Sequence, residues 1–460
     1  MINQKPASFL HVFLKGEAVS AFWSFLTKGV GLLNTFLTIS SLTLYQYGVF
    51  QLLLSVAGIS SDAVNLGGAV ISNEMSRAVG EGRVGDAKKI FREYSIIRIS
   101  IAIIFWLVVY FGATIIFSMY DLDFIKDMRV ISFLFITETV FTIMRTLWLV
   151  QLDFGVVALR STLNKFIQAI ILVYFFAQGN LGLKQLILSI IIASLFSVIF
   201  LTYKFVKSWD KWKSFEEPKR FLLGHILLNY GSWEITRQFI NKLTFRIKPW
   251  LIKFFISTEA VAVYTIAETI VTTLQDLLPS KTLQSLVPLW AKDRNLSIKM
   301  FSYGIKYFAL AGLIIAVGSL VVVPPVVHLI FSKYNVSLPY YYFMIINLPI
   351  FGAGIITGNY LIAFRKQKFI FVQQTARNIL SLLIIISTVP FIGLWGLAIE
   401  FVVVPIFMLF SNYYYTKNQD KGFHFDFHII TQFRQEDKDI LNKAYSIIKR
   451  WFIKEKVLTE

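Results

Sequence analysis

With 460 residues, 56% of them hydrophobic, and a mean hydropathy of +0.64, the chain is more apolar than a soluble globular protein and reads as an all-α integral membrane protein. Its 45 Lys and Arg against 27 Asp and Glu leave a net charge of +18, but cytoplasmic loops of membrane proteins collect such cations, so no nucleic-acid partner is implied. The lack of cysteine excludes disulfides, thiolate metal sites and a Cys nucleophile, and no soluble stretch is long enough to own a catalytic core.

Residues 1–14 read as an interfacial lead-in with no cleavable signal pattern, so the first span is expected to persist. Apolar spans follow at 17–40, 45–71, 93–118, 129–151, 158–178 and 184–206, then at 221–246, 251–278, 300–331, 339–364, 369–390 and 393–415. The pattern predicts twelve transmembrane helices in two six-helix lobes around a central cavity. The N-lobe is 1–206, a basic cytoplasmic linker is 207–220, the C-lobe is 221–415, and 416–460 is a cytoplasmic amphipathic tail. Basic loops after span two (Arg77, Arg83, Lys88, Lys89, Arg92), span six (Lys204–Arg220), span eight (Lys281, Lys292, Arg294) and span ten (Arg365, Lys366, Lys368) fall on one side. Both termini are then expected in the cytoplasm. An offset of 214 relates Tyr47-Gly-Val-Phe50 to Val261-Ala-Val-Tyr264 and places Lys28 on Lys242, a faint lobe repeat of the kind transporters use. In the tail, Ile440, Leu441, Tyr445, Ile448 and Trp451 recur at helical spacing beside Lys443, Lys449 and Arg450, which suits an amphipathic helix on a lipid leaflet.

No P-loop, GxSxG, HExxH or paired-His spacing is present, so no catalytic residue, metal or cofactor is expected. The informative residues are charges inside spans, which are costly in hydrocarbon and mark functional sites by default. Lys28 lies in span one; Glu138, Thr142 and Arg145 share a face of span four; Arg160, Asn164 and Gln168 follow one another at i, i+4 and i+8 in span five; Arg377 lies in span eleven after Gln373 and Gln374. The stretch Trp233–Trp250 carries Arg237, Lys242, Arg246 and Lys248, while Glu268, Asp276 and Glu400 sit in spans eight and twelve. Simpler roles are open to several of them. Glu138 and Arg145 can pair internally, Arg160 and Lys165 can snorkel to the near interface, and Lys248 and Arg246 can reach the outer one beside Trp250. The deeper cations Lys28, Arg237, Lys242 and Arg377, with Arg145, are the expected substrate site, because a net-positive cavity attracts an anion and Arg and Lys suit phosphate. Glu138, Glu268, Asp276 and Glu400 either balance these cations or bind H⁺ or Na⁺ for coupling.

The twelve-span layout, LTLYQYGVFQLLLSV, STEAVAVYTIAETIVTTLQDLLPS leading to Leu286-Val-Pro-Leu-Trp290, and KYNVSLPYYYFMIINLP together resemble the polysaccharide flippase branch of the multidrug/oligosaccharidyl-lipid/polysaccharide exporter superfamily. The resemblance covers about residues 8–415. It implies a flippase that moves an undecaprenyl-diphosphate-linked oligosaccharide, such as an O-antigen unit, across the bacterial inner membrane by alternating access. Lys28, Arg237 and Lys242 match the basic residues such proteins use in spans one and seven. It also implies membrane lipids and other polysaccharide-assembly proteins as partners. A cation-coupled multidrug exporter is the first alternative, although span one carries only Glu17 as an acid; a membrane-embedded glycosyltransferase or polymerase of the same pathway is the second.

Overall fold

The computed structural model describes residues 9–64, 67–116, 120, 122–226, 232–278, 294–364, 366–419 and, in the tail, Gln432, Gln435, Asp437 and Lys438. Lys281, Lys292, Arg365, the Leu286–Trp290 stretch and the tail helix expected beyond Lys438 lie outside these residues, as does the side chain of Glu17. Every described element is helical. The order is α1 (Phe9–Ser41), α2 (Leu44–Val64), α3 (Gly68–Gly80), α4 (Val84–Ile116), α5 (Leu122–Ile131), α6 (Leu134–Val150), α7 (Phe154–Ala177), α8 (Leu183–Asp210) and a single turn, α9 (Leu223–Ile226). There follow α10 (Ser232–Phe255), α11 (Thr258–Gln275), α12 (Arg294–Ile330), a 3-10 turn (Ser332–Ser337), α13 (Leu338–Met344), α14 (Asn347–Ala363), α15 (Gln367–Ile392) and α16 (Leu394–Gln419).

Among the described residues, seven helical segments are long and apolar enough to cross a membrane, and Ser332–Met344 with Asn347–Ile362, a pair bent by 51°, reaches the same length and apolarity when taken together. Their outer surfaces invert the soluble pattern. Ile96, Ile103, Ile104, Phe111 and Ile115 of α4 are all exposed, while Arg98 on the same helix is buried. Hydrocarbon outside and polar groups inside is the arrangement a bilayer selects. The second span is shorter than its apolar pattern suggests, since α2 ends at Val64 and α3 starts at Gly68, after Gly67 at φ +74°. The seventh is displaced toward the C-terminus: α10 continues through Pro249 to Phe255, where the sequence suggested an end near 246. Proline is tolerated in membrane helices because neighbouring groups satisfy the carbonyl it leaves open.

The chain forms two compact units. The first comprises Met1–Ile266, Val326–Ser337 and Ile385–Leu394. Within it α1 packs along α7, α7 along α8, α6 between α4 and α8, and α10 along α2. Polar side chains join the first pair: Thr27 and Thr162 hydroxyls are 2.7 Å apart, and Asn34 Nδ2 donates to the Lys165 carbonyl at 3.0 Å and to Gln168 Oε1 at 3.3 Å. The basic linker is folded down onto the start of α4. Lys88 Nζ donates to the carbonyls of Lys213 and Phe215, Glu93 accepts from the amides of Leu222 and Leu223, and Phe91 packs against Phe205, Trp209 and Trp212. Between α3 and α4, hydrogen bonds from Arg83 and Arg77 hold the exposed Glu81 carboxyl below the usual carboxylate range.

The second unit comprises Ala267–Pro325, Leu338–Ile384 and Trp395–Glu460. Here α12 and α14 touch backbone to backbone: a Cβ on Gly312 would lie 2.5 Å from the Leu348 carbonyl oxygen, and one on Gly352 would lie 2.2 Å from that of Phe308. Phe301, Ile305, Ala353, Ile356 and Tyr360 form the apolar cluster beside this contact. Lys306, near the start of α12, is buried against the tail, donating to Asp437 Oδ2 at 2.8 Å.

Candidate functional site

The cations of α10 and the residues facing them on α2 form one antiparallel seam in the first unit. Lys242 and Arg246 stand at i and i+4, one above the other on a helix face. Both meet the single carboxylate of Asp62: Lys242 Nζ lies 3.1 Å from Oδ1, and Arg246 Nε donates to Oδ2 at 3.0 Å. One turn further, Trp250 Nε1 donates to Ser55 Oγ at 2.6 Å. The seam closes where Gly48 meets the backbone of Thr258, whose carbonyl oxygen would sit 2.0 Å from a Cβ at that position. Arg246 reaches Asp62 by crossing over Gly58, where a Cβ would lie 2.2 Å from its Cζ. Lys242, Arg246 and Asp62 stay 33%, 30% and 20% exposed, so the group is open on one side rather than sealed in the core.

Two cations against one carboxylate leave a local excess of positive charge. Partial burial strengthens the attraction such a pair exerts on an anion, compared with the same charges in bulk water. The pair is therefore suited to bind two oxygens of one anionic group at once.

The other expected site residues differ in exposure. Lys28 on α1 and Arg145 on α6 are exposed; Arg237, on α10 before Lys242, is half-buried. Glu138 does not pair with Arg145. Its carboxylate is bound instead by Arg160 of α7 and by Ser194 of α8, whose Oγ donates at 2.8 Å. Arg160 is accordingly buried, with its guanidinium 4.0 Å from the Phe141 ring centroid, and does not snorkel. In the second unit Glu400 is buried and accepts from Ser381 Oγ at 2.5 Å, and it is close enough to act electrostatically on Arg377. Gln373 belongs to a structural chain in which its Nε2 donates to Asn412 Oδ1 at 2.6 Å and Asn412 Nδ2 donates to Thr357 at 3.0 Å. Glu268 is half-buried and Asp276 exposed.

Residues 13–292 match the family model described as polysaccharide biosynthesis protein, which is more than half of the chain. The chain belongs to the polysaccharide biosynthesis protein family. No curated protein sequence gives a significant match. Among solved structures, the protein is similar to an inward-facing multidrug resistance MATE family transporter of the MOP superfamily, with TM-score 0.69 and 14% identity over 85% of this chain and 95% of the other. It is also similar to the lipid II flippase MurJ in an inward closed conformation, with TM-score 0.67 and 12% identity over 87% of each chain. A MOP superfamily transporter from Pyrococcus furiosus aligns with TM-score 0.54 and 14% identity over 88% of this chain and 94% of that one. This polysaccharide biosynthesis protein thus has the fold of MATE and MurJ transporters and is a multi-pass membrane protein.

Within that fold, two assignments from the sequence change. Arg246 is not an outer-interface anchor, because α10 continues past it to Phe255 and carries it inside the packed seam, where it bonds Asp62. The partner of Lys242 is, in this structure, a protein carboxylate. Asp62 was not singled out in the sequence; the signal available was an acid near the end of an apolar helix, in Ile59-Ser-Ser-Asp62, just ahead of a Gly-rich break. Arg98 was missed as well. It is buried on α4 with its guanidinium 4.0 Å from the Tyr94 ring centroid.

Proposed function

We propose that this protein is a flippase that crosses the bacterial inner membrane twelve times, with both termini cytoplasmic, and carries an undecaprenyl-diphosphate-linked oligosaccharide repeat unit across it by alternating access, for surface polysaccharide such as O-antigen. Membership of the polysaccharide biosynthesis family supports the pathway, and the MATE and MurJ fold supports transport rather than covalent chemistry. The observation that carries the substrate chemistry is the convergence of Lys242 and Arg246 on two oxygens of one acidic group. A lipid diphosphate offers the same pair of anionic oxygens with more charge behind them. Lys28, Arg145 and Arg237 supply further cations for diphosphate or acidic sugars, and Arg377, balanced by Glu400, supplies one more. The polyprenyl tail stays in lipid while the headgroup crosses. H⁺ or Na⁺ coupling through Glu138, Glu268, Asp276 or Glu400 is part of the proposal, as is contact with other polysaccharide-assembly proteins.

The test is complementation of a deletion strain by Lys28→Ala, Arg237→Ala and Lys242→Ala variants matched for membrane level. Each lost charge-assisted contact is worth about 1.5–3 kcal/mol, roughly tenfold or more in affinity, so polysaccharide display is expected to fall and the lipid-linked unit to accumulate on the cytoplasmic leaflet. Full display by the variants would overturn the cationic site. One observation favours a second reading, a cation-coupled exporter of other solutes: Asp62 partly neutralises the α10 cations. Drug efflux that survives loss of the lipid-linked substrate would select it.

A further inference from the structure

Asp62 has the geometry of a placeholder. Its two carboxylate oxygens are divided between two cations, Oδ1 to Lys242 and Oδ2 to Arg246, as two oxygens of a phosphate would be. It also sits at the end of α2 where the seam with α10 can open first: the next glycine, Gly67, turns the chain at φ +74°, whereas Ser55 with Trp250 and Gly48 with Thr258 hold the opposite end. A carboxylate carries one negative charge and a diphosphate more, so the two compete for the same cations with the advantage to the diphosphate.

We propose that Asp62 is a built-in competitor for a substrate diphosphate: the ligand takes Lys242 and Arg246 from it, and the freed carboxylate releases the end of α2 from α10. This rests on the diphosphate reading of the site above. Asp62 is thus a positioning residue that couples loading to helix separation. Its charge lowers resting affinity, and its displacement marks the loaded state.

The experiment uses the full chain in lipid nanodiscs with inorganic pyrophosphate, undecaprenyl diphosphate and inorganic phosphate as probes. Because the chain has no cysteine, a single Ser61→Cys substitution beside Asp62 reports its own accessibility to a maleimide. Pyrophosphate or undecaprenyl diphosphate is expected to raise maleimide labelling several-fold, with inorganic phosphate weaker. Asp62→Asn is expected to bind pyrophosphate roughly tenfold tighter, since removing the competing state raises apparent affinity by the fraction it held. A merely structural role for Asp62 predicts the opposite, weaker binding. A response to undecaprenyl diphosphate alone supports the proposal with the lipid headgroup as the source; a response to both supports it for diphosphate in general. Unchanged labelling, or an Asp62→Asn variant that binds no tighter, overturns it. If binding is present and Lys242→Ala removes it, the diphosphate site survives that outcome; if no diphosphate binds any variant, both fall. Should Asp62→Asn fail to insert, labelling of the Ser61→Cys chain alone decides.

Discussion

Arg160 on α7 and Glu138 on α6 form an ion pair across two helices, completed by Ser194 of α8, which donates to the same carboxylate oxygen while accepting from the guanidinium. The side chains are 11% and 29% exposed. Removing one member strands the other where water is scarce, a loss of about 3–5 kcal/mol for a fully buried pair and less here because Glu138 is partly open. Glu138→Ala and Arg160→Ala are each expected to lower the melting temperature of the purified protein, and Glu138→Leu combined with Arg160→Met to recover much of the loss. Additive losses in that double variant would show that the two groups do not act as a pair.

Gly58 and Gly48 separate a functional effect from a folding one on the same helix. A methyl group at Gly58 meets the far end of the Arg246 side chain, which can swing aside but only by leaving Asp62; at Gly48 it meets the Thr258 backbone, which cannot. Gly58→Ala is expected to insert normally and lose transport, measured as surface polysaccharide per inserted copy. Gly48→Ala is expected to cost about 1–3 kcal/mol of stability and reduce the inserted amount.

Much of this architecture was legible because membrane helices declare themselves by uninterrupted apolar length, and the polar stripe of span five was visible at its i, i+4, i+8 spacing. What that stripe does was not. Arg160 and Gln168 meet partners on α6 and α1, and a period along one helix carries no information about its neighbour. The same limit hid Asp62, whose partners lie on a helix far along the chain and whose own helix breaks just after it. Arg98 escaped in the same way: it is the one Arg within the apolar run of span three, and its burial on α4 depends on neighbours that the period along its own helix does not show.

The chain of amides between α14, α15 and α16 provides a third test. Gln373 and Asn412 are both buried, and Asn412 also reaches Thr357. Asn412→Leu leaves the Gln373 amide without its side-chain acceptor, at a cost of about 1–3 kcal/mol for an unsatisfied buried group. A lower melting temperature is expected, partly restored by adding Gln373→Leu, because replacing both partners with apolar groups removes the unmet donor. An unaltered melting temperature in Asn412→Leu would mean that the bond Gln373 Nε2 already donates to the Met408 carbonyl, at 3.1 Å, is enough to satisfy the amide.

The described part of the tail meets α12 of the second unit through a buried charge. Asp437 is fully buried, and accepts from Lys306 Nζ at 2.8 Å on one oxygen and from the Tyr307 hydroxyl at 2.6 Å on the other, while Lys306 also donates to the Gln432 carbonyl at 2.9 Å. An ammonium at this depth needs its counter-charge, so Asp437→Ala leaves Lys306 with a desolvation cost that its contact with Gln432 only partly offsets. The variant is expected to melt at lower temperature and to expose the tail to limited proteolysis near residues 430–440, and adding Lys306→Met is expected to restore the melting temperature without restoring protection. The two readouts separate because stability depends on whether a buried charge is stranded, whereas protection depends on whether the tail is held. A tail held chiefly by its amphipathic face on the bilayer would instead keep its protection in Asp437→Ala and lose it when Ile448 and Trp451 are made polar.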